Sequence, residues 1–169
     1  SMSTGKPEIA AYPFTTKQLH VGHFTNRRMK YQLVDTPGLL DRPMEERNHI
    51  EMQAIAALEH VGDLCLFLMD PSESGGTSME IQTNLLNEVA SLLPQTPLIV
   101  IDGKGDLIGD IDPAEWAAVC EMEAALNENP DGPLPEIRNP ATGHLVISAT
   151  ESAGIERLRF EIIQRIGQL

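Results

Sequence analysis

Three short apolar segments, each followed by a helical pattern, most constrain how this chain folds. The segments are residues 64–69, 97–101 and 144–148. The first is almost wholly apolar, which is typical of a central parallel strand covered on both faces, and it places Cys65 in the core. Repeated strand–helix units predict a mostly parallel sheet between helical layers, so the fold class is α/β.

Helical periodicity accompanies these strands and also precedes them. The predicted helices cover residues 43–61, 78–93, 113–126 and 154–166. Asp112 is a candidate N-cap, because Pro113 follows it in the first turn. The predicted buried face of the second of these helices consists of Ile81, Leu85, Leu86, Val89 and Leu92. That of the last helix consists of Ile155, Leu158, Ile162 and Ile166.

Two alternating segments come before the parallel units. Residues 16–24 and 29–35 alternate polar and apolar side chains, as half-buried strands do. A turn at Thr25-Asn26 is expected to join them into an antiparallel hairpin. The hairpin would lie at one edge of the sheet.

The charge of the chain is concentrated in its middle. Net charge is −13, and residues 48–137 contribute −16 with Lys104 as their one basic residue. This acidic stretch repels phosphate backbones, so we expect a solvated surface and no direct nucleic-acid binding. No apolar run approaches 18 residues, so no membrane segment is expected. Cys65 and Cys120 form no disulfide framework or zinc motif, which favours reduced thiols and a cytoplasmic location.

An acidic residue and a glycine follow the second hairpin strand as Asp35-Thr36-Pro37-Gly38. A carboxylate at a strand end holds Mg²⁺, usually through water, and a glycine N–H approaches a γ-phosphate because no side chain blocks it. The same four residues equally describe a turn after a strand. This motif alone leaves both readings open.

Two polar segments follow the later parallel strands. In Lys104-Gly105-Asp106 the lysine stem would cover one face of a flat base, and the aspartate would accept two N–H bonds from guanine, which adenine does not supply. Ser148-Ala149 follows the last strand, where a backbone N–H would meet a base oxygen. Each segment alone is also an ordinary polar turn, whereas their order and spacing together favour a GTP site.

The order of these motifs resembles that of a GTPase domain. Residues 6–10 and 12–16 resemble the Obg-like GTPases, and residues 34–55 resemble the Nog-type nucleolar GTP-binding proteins and their archaeal relatives. The resemblance is good from Lys6 to about Asp106 and loose afterwards. It implies a Ras-like P-loop GTPase fold, and it implies GTP or GDP and Mg²⁺ as cofactors of the complete family.

The resemblance also implies roles for individual residues. Thr16, or alternatively Thr15, would contact Mg²⁺ and the γ-phosphate, and Asp35 and Gly38 would form the second switch, with Asp35 on the metal. Lys104 and Asp106 would recognise guanine with support from Ser148 and Ala149. Leu39 stands where Ras-like proteins place a water-orienting Gln, so intrinsic hydrolysis would be slow or would use another group, and no catalytic residue is assigned.

Two departures from the family pattern limit this interpretation. The sequence contains no Gly-x-x-x-x-Gly-Lys-Ser/Thr phosphate loop, which suggests a domain without its first strand and first helix. The family has Asn where this chain has Gly103, so hydrogen bonds to the base are lost. Removing the first strand would expose two apolar edges. We expect the edges to close on each other, or a second copy (a strand-completing homo-oligomer) or another chain to supply the strand.

The sequence therefore predicts an N-terminally truncated GTPase domain over residues 1–169 with a helix-plus-loop insertion over 107–143. The predicted function is GTP binding linked to ribosome assembly, with a ribosomal particle or an assembly factor as partner. The isolated chain would bind nucleotide weakly or not at all. The alternative is a nucleotide-independent interaction module that docks through residues 39–48.

Overall fold

The structure is a computed structural model that describes residues 8–10, 19–35, 55 and 60–168, with residues 8–10 and 19–20 described by their backbone alone. Its strands are β1 (Glu8–Ala10), β2 (Leu19–Asn26), β3 (Met29–Asp35), β4 (Cys65–Met69), β5 (Leu98–Asp102) and β6 (Leu145–Val146). Its helices are α1 (Met79–Leu92), α2 (Pro113–Ala125) and α3 (Ile155–Ile166), with a 3₁₀ turn over Gly105–Leu107.

The chain divides into two compact units. One, the hairpin unit, contains residues 2–63 and 83–96, and the other, the parallel unit, contains residues 64–82 and 97–169. Most of the helix predicted over residues 43–61 lies outside the described residues, although Ile55, His60 and Val61 are helical.

The hairpin unit contains an antiparallel sheet in the order β1-β2-β3. The predicted hairpin is present, but its turn is not at Thr25-Asn26, because these residues pair with Lys30 and Met29. The turn lies instead at residues 27–28, where Arg27 has a left-handed φ of 54°. The ladder is thus two pairs longer than expected. The extra pairs provide hydrogen-bond partners in the opposite strand for the backbone groups of Thr25 and Asn26.

The parallel unit contains a sheet in the order β4-β5-β6 with both pairings parallel. This unit also contains a buried hydrophobic cluster, against which Trp116 and Cys120 pack. The members of the cluster are Ile108, Ile111, Val119, Ile137, Val146 and Ala153. Helix α3 buries Ile155, Leu158 and Ile162 from its predicted apolar face. The predicted alternation of strands and helices is therefore found along residues 65–166.

Strand β4 differs from the central strand that the sequence predicts. It pairs only with β5 among the described strands, and Leu68 on it is 61% exposed. Cys65, predicted in the core, is half-buried, and this burial raises the pKa of its thiol. Strand β3 likewise pairs only with β2 in the described part of the chain. Closure of the two edges on each other stays a prediction. Completion by a second copy or another chain stays a prediction.

Helix α1 buries a polar side chain where an apolar one was predicted. Ile81 is 55% exposed, whereas Gln82 is buried. The side-chain amide of Gln82 donates to the carbonyl oxygens of Asp70 and Thr77 at 3.0 and 2.9 Å and accepts from the N–H of Asp70 at 2.7 Å. These hydrogen bonds compensate for the burial of the Gln82 side chain. The helix therefore buries a face that differs from the one predicted by the hydrophobic pattern.

The two later helices begin with different caps. Asp112 caps α2 as predicted, because its carboxylate accepts from the N–H groups of Ala114 and Glu115 at 2.7 and 3.3 Å. Helix α3 begins after Gly154, which has no side chain, and Glu123 of α2 accepts the N–H of Glu156 at 2.8 Å instead. None of the helices described is long and apolar enough to span a lipid bilayer.

Candidate functional site

The carboxyl ends of the three parallel strands meet at the segment that follows β5, here called the β5 loop (residues 103–106). The N–H of Gly103 donates to the carbonyl of Met69 at the end of β4 at 2.7 Å. The N–H of Gly105 donates to the carbonyl of Ile147, just after β6, at 3.0 Å. The β5 loop is therefore fixed to both neighbouring strands, at the sheet edge where α/β proteins bind ligands.

Lys104 adopts a left-handed backbone conformation with φ 54° and ψ 44°. This conformation is unfavourable for a residue with a side chain, and such residues cluster at functional sites. Its ammonium donates to Asp70 Oδ2 at 2.6 Å and to Ser74 Oγ at 2.7 Å. The side chain is thus fixed at its far end, and its stem is available to lie along a flat ligand.

Asp70, the partner of Lys104, directly follows β4. Its carboxylate also accepts hydrogen bonds from the hydroxyl of Ser72 and the N–H of Gly75. Partial burial acts to raise the pKa of Asp70, but the bond and charge of Lys104, with the bonds from Ser72 and Gly75, outweigh it and lower the pKa to about 2. The Asp70 carboxyl group is therefore fully ionised near neutral pH.

Asp106 is oriented by the segment after β6, here called the β6 loop (residues 148–151). The hydroxyl of Ser148, which is fully buried, donates to Asp106 Oδ1 at 2.6 Å, and the same Ser148 oxygen accepts the N–H of Glu151 at 3.2 Å. Asp106 and Ala149 are exposed. The structure thus brings together Lys104, Asp106, Ser148 and Ala149, four of the residues selected from the sequence.

The chemistry of this arrangement fits a guanine base. A carboxylate with one oxygen held by Ser148 presents its remaining acceptor capacity toward solvent, and guanine offers two adjacent N–H donors to such a group. Gly103 has no side-chain amide to contact the base. A Cβ atom at this position would lie 3.0 Å from Cδ1 of Leu68. A side chain at residue 103 would therefore require Leu68 to shift by a few tenths of an ångström.

Of the predicted phosphate and metal residues, the described part of the chain contains Asp35. Asp35 is the last residue of β3, is paired with His20 in the ladder, and is exposed. Thr15, Thr16 and Gly38 lie outside the described residues. The assignment of Mg²⁺ to Thr16 and Asp35 stays a prediction.

Several residues near the β5 loop were missed by the sequence reasoning. Asp70 and Asp102 both stand at the carboxyl ends of apolar strands, and this position was the signal that could have found them. The carboxylate of Asp102 is fully buried and accepts from Asn139 at 2.8 Å and from Thr142 at 2.6 Å. Trp116 and Glu151, which hydrogen-bond to each other, carried no comparable signal.

Comparison with known proteins finds relatives that share one name. The family model of Nucleolar GTP-binding protein 1 (NOG1) matches residues 49–106, which end at the aspartate of the β5 loop. Nucleolar GTP-binding protein 1 of Drosophila melanogaster is 36% identical over 160 residues, covering 94% of this chain and 22% of the fly protein. The protein of the same name from Saccharomyces cerevisiae is 35% identical over 158 residues, covering 86% of this chain and 24% of the yeast protein. These matches support a Nog-type GTP-binding family for this chain.

Solved structures agree with the Nog-type assignment. A nucleolar GTP-binding protein 1 from Plasmodium falciparum superposes with a TM-score of 0.65 at 28% identity, covering 89% of this chain and 73% of that one. The G domain of the Thermotoga maritima FeoB iron transporter superposes with a TM-score of 0.59 at 20% identity, covering 97% of this chain and 86% of that one, which shows the fold alone. The predicted α/β fold of the GTPase G-domain class is confirmed.

Two facts qualify what the Nog-type relatives say of this chain. The chain spans between a fifth and a quarter of the length of the fly and yeast proteins. These relatives are named nucleolar, so the cytoplasmic location predicted from the cysteines is wrong. Reduced cysteines indicate a reducing compartment, but they carry no information on where inside the cell the protein lies.

Proposed function

We propose that this chain supplies the base-recognition part of a Nog-type guanine-nucleotide-binding domain, and that the protein containing it acts in ribosome assembly. The observation that carries the first part is the 2.6 Å hydrogen bond from Ser148 to Asp106, on a loop whose Lys104 is anchored to Asp70. A carboxylate already oriented by the protein loses little conformational freedom when a base binds. The ribosomal particle or an assembly factor would be the partner of the complete protein.

Affinity for the whole nucleotide would come mainly from groups outside the base. Phosphates are usually bound by a glycine-rich loop and Mg²⁺, and the sequence contains no Gly-x-x-x-x-Gly-Lys-Ser/Thr. We therefore propose that this chain binds GTP and GDP weakly. Asp35, Thr16 or Thr15, and Gly38 are proposed to act on Mg²⁺ and the γ-phosphate, so Asp35→Ala should weaken any Mg²⁺-dependent part of GTP binding.

Nucleoside titrations followed by NMR and by the fluorescence of the single tryptophan test base recognition without the phosphates. We expect guanosine to shift the amide signals of Gly105, Asp106 and Ala149. Inosine, which lacks the 2-amino group, should bind roughly tenfold or more weakly, because a hydrogen bond to a charged acceptor is worth about 1.5–3 kcal/mol. Asp106→Ala should abolish the difference between guanosine and inosine.

Asp110→Ala is the matched control, because Asp110 is an exposed carboxylate four residues further along the chain. It should leave the guanosine-to-inosine ratio unchanged. If adenosine bound as tightly as guanosine, base recognition by Asp106 would be contradicted. No response to any nucleoside would favour the alternative, a nucleotide-independent module docking through residues 39–48. Micromolar or tighter binding of GDP with Mg²⁺, measured by calorimetry, would contradict the proposed weakness.

A further inference from the structure

The indole ring of Trp116, on helix α2, packs directly against the backbone of the β5 loop. A Cβ atom built at Gly105 would lie 2.4 and 2.6 Å from the Cη2 and Cζ3 atoms of this ring. These distances are shorter than any real contact, so the ring occupies the space where a side chain at residue 105 would be. The middle of the β5 loop therefore rests on Trp116.

The same indole is joined to the β6 loop by a hydrogen bond. Its Nε1–H donates to Glu151 Oε2 at 2.5 Å, and the backbone N–H of Glu151 donates to Ser148 Oγ at 3.2 Å. Ser148 in turn donates to Asp106. Trp116, Glu151, Ser148 and Asp106 thus form a continuous series of contacts that begins and ends at the β5 loop.

Helix α2 gives Trp116 a fixed position. Asp112 caps this helix one turn before Trp116, and the ring packs against the buried cluster that includes Ile108 and Val146. Ile108 follows the β5 loop closely in sequence, and Val146 is the last residue of β6. A rigid aromatic side chain held in this way loses little freedom when it supports two loops at once.

We propose that Trp116 is a positioning residue that holds the β5 loop and the β6 loop at the separation needed to distinguish guanine from other bases. The residue acts through Gly105 on one side and through Glu151 on the other, and it does not contact the base itself. This inference rests on the proposed base recognition for its ligand, whereas the coupling of the two loops is independent of any ligand.

Amide hydrogen exchange, measured by NMR without ligand, tests the coupling. Trp116→Phe removes the indole N–H, and Glu151→Ala removes its acceptor. In both variants we expect the amides of Gly105 and Glu151 to exchange roughly threefold to tenfold faster, since the hydrogen bond lost is of ordinary strength. Glu151→Gln, which retains an acceptor oxygen, should restore slow exchange. Glu121→Ala, at an exposed position on the same helix, should change neither amide.

The ratio of guanosine to inosine affinity provides the readout that a merely stabilising role would not change. It should fall several-fold in Glu151→Ala, measured where circular dichroism shows the variant fully folded, and recover in Glu151→Gln. Faster exchange in only one loop, or an unchanged ratio beside normal guanosine binding, would overturn the inference.

Two further outcomes keep the inference separate from the proposed function. If the unmodified chain binds no nucleoside, the proposed function fails, and the exchange experiment alone decides whether Trp116 couples the loops. If Trp116→Phe does not fold, the exposed Glu151→Ala and Glu151→Gln pair decides the same question.

Discussion

Asp102 Oδ1 lies 3.0 Å from His144 Nδ1, and the Asp102 carboxylate is fully buried. Its other oxygen accepts from Asn139 and Thr142, so three side chains between residues 139 and 144 converge on one acid. This acid directly precedes the β5 loop. The network therefore fixes the segment before β6 to the end of β5.

Replacing Asp102 should destabilise the protein strongly. Asp102→Ala leaves the donors of Asn139 and Thr142 without their acceptor, and each buried donor left unsatisfied typically costs about 1–3 kcal/mol. Asp102→Asn, which retains one acceptor oxygen, should cost less. Urea unfolding followed by Trp116 fluorescence measures both. Asp131→Ala, at an exposed acid, is the control, and a loss no larger than that of this control would refute the structural role.

The stability contributed by Asp70 should depend on acid pH. Since the pKa of Asp70 falls from 3.8 to about 2 on folding, its contribution is complete above pH 3.8 and is lost as the pH falls through about 2. The difference in unfolding free energy between the unmodified chain and Asp70→Asn should therefore shrink between these pH values. Urea titrations at several pH values measure it, and a difference that is constant with pH would contradict the Lys104 pairing.

A methyl group at residue 105 should destabilise the β5 loop. Gly105→Ala would place Cβ within 2.6 Å of the Trp116 ring and of Val146 Cγ1, and overpacking of this kind typically costs about 1–3 kcal/mol. The tryptophan emission should shift at the same time. Gly109→Ala is the matched control, because a Cβ there meets nothing within 4 Å. Equal stability of the two variants would show that the ring does not fill this space.

Glu123 should act as a cap of α3, although the negative charge of Glu123 should itself be unfavourable for folding. Burial, together with the charge of Glu156, raises the pKa of Glu123, although it accepts the Glu156 N–H. A raised pKa means that the folded chain holds the proton more strongly, so the contribution of Glu123 to stability falls as pH rises through that pKa.

Two substitutions separate the cap from the charge. Glu123→Gln keeps an acceptor and should be at least as stable as the unmodified chain at pH 7. Glu123→Ala should lose about 1 kcal/mol, the usual value of a helix cap. Thermal unfolding at pH 4 and pH 7 compares them, and a Gln variant less stable than the Ala variant at pH 7 would contradict this account.

Local patterns predicted the three described α-helices well. Helices α1, α2 and α3 lie within one residue of their predicted ends, because periodicity, the Asp112 cap and Gly154 are properties of neighbouring residues. The burial of Gln82 in place of Ile81 was not predictable, since it depends on the loop after β4. Strand β6 is also shorter than predicted, because Ser148 pairs with Ala153 in a local bridge.

Spacing in the sequence selected several residues of the candidate site, and it did not select the side chains that hold them. Spacing after strand ends selected Lys104, Asp106 and Ser148, because parallel strands place such residues at one sheet edge. The contact of Asp70 with Lys104 joins residues 34 positions apart, and that of Trp116 with Glu151 joins residues 35 apart. Pairings over such separations are set by packing, and no local pattern in one sequence records them.

The backbone bonds from Gly103 to Met69 and from Gly105 to Ile147 have a consequence for nucleotide discrimination. A segment tethered on both flanks offers the same surface to a diphosphate and to a triphosphate. The β5 loop would add the same binding energy to GDP and to GTP. A contact that is equally strong with both nucleotides does not favour one of them over the other. Any preference for GTP over GDP must then originate among residues that touch the third phosphate.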